Sequence, residues 1–179
     1  RRYMAYEPKE QNRLLKEQVE KDSPRFSLTK AEVRDATNPR KDLNFHLEGR
    51  IERESGRRRE VEPFPMDPWP LWVPDRLDAN RTELIALPHA LVHSATSRFT
   101  VPKGYSLGKV EPIGQSNAFG SVSWELAREA KDGGESCTVS LRVEVVRTIA
   151  SAGEYEAFRT FLGWVREACG RTLVLERAR

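Results

Sequence analysis

Two runs of alternating side chains in the second half of the chain constrain its fold more than any other feature. Val122, Trp124 and Leu126 alternate with Ser121, Ser123 and Glu125, and Val139, Leu141, Val143 and Val145 alternate with Ser140, Arg142 and Glu144. Successive side chains on a strand point to opposite faces, so each run describes a strand with one buried and one solvated face. Lys131-Asp132-Gly133-Gly134 between them has the glycine that a tight hairpin turn requires. Strands over roughly 119–130 and 135–149 are therefore antiparallel neighbours, with further strands expected at 90–101 and 105–112. The expected fold class is mainly β, an antiparallel β-sandwich with an N-terminal and a C-terminal helix packed on it.

The helices have their own signals. Over 8–21, Pro8 suits a first helical turn, Leu14, Leu15 and Val19 make a narrow apolar stripe, and Ser23-Pro24 stops the run. Over 152–169, Tyr155, Phe158, Leu162, Val165 and Cys169 recur at three- and four-residue steps. Ser151 and Glu154 have the spacing of a capping box, in which the Ser hydroxyl takes an orphan N–H and Glu154 reaches back. Gly170 follows as a C-cap, and Thr172–Leu175 reads as a short closing strand. Between the helices, Phe26, Leu28 and Val33 form one strand, ended by a turn at 35–39. Leu43, Phe45, Leu47, Gly49 and Ile51 alternate on a second strand, which Glu54-Ser55-Gly56-Arg57 turns back towards Val61 as a hairpin. The expected organisation is a helical linker over 1–22 and a β-sandwich domain over 23–179. Its core would hold Phe45, Leu47, Trp124, Val143, Phe158 and Leu162.

Composition excludes several classes. The 179 residues contain no run of about 18 apolar side chains, so no membrane insertion is expected. Two cysteines are too few for a disulfide framework or a Cys-rich zinc module. The net charge is only +3. Arg57-Arg58-Arg59 is flanked by Glu52, Glu54, Glu60 and Glu62, which reads as a solvated hairpin tip rather than a nucleic-acid stripe. The first residues, Arg1-Arg2-Tyr3-Met4, have neither an initiating Met nor an apolar signal, and the chain is read as a piece of a longer protein.

The chemistry-bearing residues form no expected catalytic or metal site, and no cofactor motif is present. Gly114-Gln115-Ser116-Asn117-Ala118 resembles a nucleophile elbow, but strand rather than helix follows, and a turn is expected there. A hydrolase site would need Ser116 within hydrogen-bond reach of His93. His89 and His93 on one strand would stand about 13 Å apart, too far to share a metal. Asp75, Asp78, Asn80 and Thr82 lack the central Gly and closing Glu of a calcium loop. The strand and helix leading to Cys137 and Cys169 differ in length, which argues against a disulfide. Cys169 is read as core, and Cys137 has no adjacent His to activate it. Residues 63–74 carry five of the chain's 11 prolines, so they cannot form a central strand. Trp69, Leu71 and Trp72 in that segment are the candidate binding residues, by strand addition or Pro-rich docking.

The order of elements is similar to that of a known family. A helix with Gln11-Asn12-Arg13, strands around Asp35–Pro39, the strand from Ser97 to Tyr105, Phe119-Gly120, and the helix beginning Glu154-Tyr155-Glu156-Ala157-Phe158 occur in sequence. This resembles the C-terminal β-sandwich domain of unknown function in bacterial transglutaminase-like proteins, which follows a papain-like catalytic domain. The resemblance implies a bacterial envelope protein, periplasmic or surface-exposed, whose Cys–His–Asp site lies upstream of Arg1. It implies a non-catalytic accessory domain whose partner is the upstream domain of the same chain. The alternative is a protein-binding or adhesion module for another envelope protein, using 63–74 or a free sheet edge.

Overall fold

The computed structural model describes residues 6–22, 26–35, 44–51, 58–64, 84–87, 90–131 and 134–177. Its elements are α1 (Pro8–Asp22), β1 (Phe26–Arg34), β2 (Asn44–Ile51), β3 (Arg58–Val61), β4 (Ile85–Ala86), β5 (Leu91–Val101) and β6 (Tyr105–Leu107). They continue as β7 (Ile113–Asn117), β8 (Gly120–Lys131), β9 (Gly134–Val145), β10 (Ile149–Ala150), α2 (Tyr155–Cys169) and β11 (Leu173–Arg177). All strand pairs are antiparallel. The chain divides into two compact units, Arg1–Ser55 and Gly56–Arg179.

In the first unit, β1 and β2 pair with each other and, among the described residues, with no other strand, and α1 packs against β1. Leu15 and Val19 are the buried part of the α1 stripe, and Asn12 Oδ1 accepts the Val33 N–H at 3.0 Å. The register slips between Leu28 and Lys30. This bulge inserts one residue and changes parity, which is why Phe26 and Leu28 can share a half-buried side with Ala31 and Val33. Asp35 at φ 60° ends the strand, as the turn composition there required. Two core expectations fail in this unit. Phe45 is 42% exposed and Leu47 only half-buried, because a two-stranded ribbon has too little cover to bury one whole face.

The second unit has a four-stranded sheet in the order β5-β9-β8-β7, a three-stranded sheet β3-β11-β6 and the short ladder β10-β4. Val122, Trp124, Val139, Leu141 and Val143 from the larger sheet share one core with Leu107, Leu173 and Leu175 from the smaller. Phe158, Phe161, Leu162 and Val165 of α2 complete it. Trp124, Val143, Phe158 and Leu162 are fully buried, as their periodicity requires. Phe161 and Ala168 are buried too, so the apolar face of α2 is wider than the stripe read from the sequence. Cys169 lies half-buried at its margin.

Three local expectations are corrected. Val61 and its strand pair with β11, not with β2, so the 51–61 hairpin does not form. Residues 113–117 are strand β7 rather than a turn; the turn falls at Ala118-Phe119, and Asn117 pairs directly with Gly120. The strand expected at 105–112 is only Tyr105–Leu107. Gly170 does stop α2, donating its N–H to Arg166 O at 2.9 Å, but at φ −88° rather than in a left-handed cap.

Candidate functional site

The registers decide which of the chemistry-bearing residues meet. His93 pairs with Val143, Val143 with Val122, and Val122 with Gln115. Ser116 lies one row away, in the row Val92–Glu144–Ser121–Ser116. Adjacent rows point to opposite faces, so His93 turns towards the core side and Ser116 away from it. They also occupy opposite edge strands, three strand spacings or roughly 14 Å apart. Ser116 and His93 therefore form no nucleophile–base pair.

The two cysteines are not bonded to each other. Cys137 is fully buried, and burial pushes its thiol upward, with Glu135 adding to the effect; an activated thiol needs the reverse. Among the described residues, no group of three or more His, Cys, Asp or Glu side chains could hold a metal ion. No described helix is long and apolar enough to cross a membrane. Trp69, Leu71 and Trp72 lie outside the described residues, as do His89, Asp75, Asp78, Asn80 and Thr82.

What the second unit does present is β5. It is an edge strand of 11 residues, in unbroken register with β9 from Leu91 to Val101. Among the described residues no strand pairs with its outer side. Natural sheets blunt such edges with Pro, Lys, bulges or short strands. β5 contains neither Pro nor Lys and has no bulge; Arg98 is its single charged residue, and its guanidinium Nε donates to Thr138 Oγ1 of β9 at 3.4 Å. Among the described residues of this unit, the edge strands β7, β6 and β3 have five, three and four residues, and β4 and β10 two each.

Burial falls off sharply across this edge. On the core side, Cys137, Val139, Leu141, Val143 and Val145 of β9 are all buried. Their partners Phe99, Ser97, Ala95, His93 and Leu91 on β5 are only half-buried. The core thus continues onto β5. On the opposite face Ser94, Thr96, Arg98 and Thr100 are exposed, and so is Val92 at 54%. Sequence reasoning named a free sheet edge without locating it. The signal was present in Leu91–Val101, the longest alternating run without Lys, Pro or an acidic residue, but which strand lies outermost depends on pairing.

No curated protein matches the sequence. The chain is similar to the crystal structure of a candidate protease from Parabacteroides distasonis ATCC 8503, with 20% identity and a TM-score of 0.49. That similarity covers 56% of this chain and 19% of the other, so the match spans about a fifth of that protein's length. Residues 60–175, almost all of the second unit, match the profile of a domain of unknown function with solved structure, DUF3858. This chain belongs to the DUF3858 family.

Proposed function

We propose that this chain is a non-catalytic accessory domain of a bacterial transglutaminase-like envelope protein, and that it supports or positions a catalytic domain upstream of it in the same polypeptide. The observation that carries the reading is the separation of Ser116 from His93 on opposite faces and edges of the sheet. Both residues are sheet residues, His93 on β5 and Ser116 on β7. The order of elements described above, with its resemblance to a domain that follows a papain-like catalytic domain, supports the placement beside a larger catalytic neighbour. The test compares the parent protein with a version lacking residues 1–179, assayed for amine incorporation and peptide cleavage with folding of the remainder verified. Activity that falls while the catalytic domain stays folded supports the reading; unchanged activity overturns it.

A second reading is a protein-binding module of the envelope acting by strand addition. The place of β5 at the edge of the four-stranded sheet, among the described residues, favours it, because an edge strand can offer main-chain donors and acceptors to an extended segment. Trp69, Leu71 and Trp72 remain candidates to contribute to the same binding. Their replacement by alanine, singly and together, is expected to weaken capture of a partner if they do.

A further inference from the structure

We draw no further inference here: the strongest candidate, the surface patch of exposed apolar side chains that Leu84 and Ile149 present at the short β4–β10 ladder, carries nothing because nothing in the structure shows what covers it.

Discussion

Arg147 holds the Glu154 carboxylate with both Nη atoms, at 2.5 and 2.8 Å, across the connection between the four-stranded sheet and α2. The same carboxylate accepts the Ser151 hydroxyl at 2.7 Å and the Ser151 N–H at 3.2 Å. Glu154 thus reaches back as the capping box requires, while the Ser151 hydroxyl donates to the carboxylate. Arg147 in turn lies over the Phe119 ring, 5.3 Å from its centroid, and its N–H is bonded to Phe119 O. The start of the helix, the end of β9 and the β7–β8 turn meet at this one guanidinium.

The first prediction concerns acid. The Arg147 guanidinium, followed by the two Ser151 bonds, lowers the Glu154 carboxyl to about 2. A carboxyl lowered by folding stabilises the native state fully above its unfolded value of about 4.3, and that contribution is lost as pH falls from there towards 2. Melting temperature of the second unit, followed by tryptophan fluorescence between pH 6 and pH 2, should fall over this window in wild type. Glu154→Gln should start lower at pH 6 and fall less. Parallel curves for the two proteins would sink the assignment. The pair is solvent-facing, so the difference should shrink at high salt.

Gly120 is the second test. A Cβ there would lie 1.9 Å from the Glu144 carbonyl oxygen, a backbone atom that cannot turn aside. Gly120→Ala must therefore push β8 from β9 beside the Asn117–Gly120 turn, and a loss of at least about 1–3 kcal/mol is expected. Gly114→Ala on β7 meets nothing within 4 Å. It should be neutral or stabilising by up to about 1 kcal/mol, since it removes freedom from the unfolded chain. Urea midpoints of the two variants decide; equal effects would contradict the geometry.

Two phenylalanines separate core from surface. Phe158 is fully buried and meets Phe119 edge-on, with ring centroids 5.1 Å apart. Phe158→Ala should cost about 3–5 kcal/mol in denaturant unfolding. Phe45, read from the sequence as its equal in the core, is 42% exposed, and Phe45→Ala should cost less than about 1.5 kcal/mol.

Thiol chemistry supplies a fourth check. Cys137 is buried on β9 with its thiol raised, whereas Cys169 lies half-buried at the end of α2. In the native protein at pH 8 a thiol reagent should modify Cys169 first and Cys137 only on unfolding. Two native thiols reacting at the rate of free cysteine would contradict the burial of β9.

The legible part of this protein was the part governed by neighbours in sequence. Period two over Val122–Leu126 and Val139–Val145 assigns faces, and the turn between them assigns the partner, so β8 and β9 follow from the chain alone. The same holds for α2, whose apolar spacing and terminal residues are local. What period two cannot state is who lies beside whom across a long loop. Val61 joins Leu173 at the far end of the chain, Leu91–Val101 joins β9 rather than β6, and Gly114–Asn117 becomes an edge strand because β8 is there to receive it. Phe45 alternates as well as Trp124 does, yet Trp124 lies in a core shared with a helix and a second sheet while Phe45, on a two-stranded ribbon, is 42% exposed. The same rule places Ser116 and His93 apart and leaves β5 outermost. Burial and strand neighbourhood are properties of the assembled layers, so only the tertiary structure could decide which alternating strand is interior to its sheet and which lies at its edge.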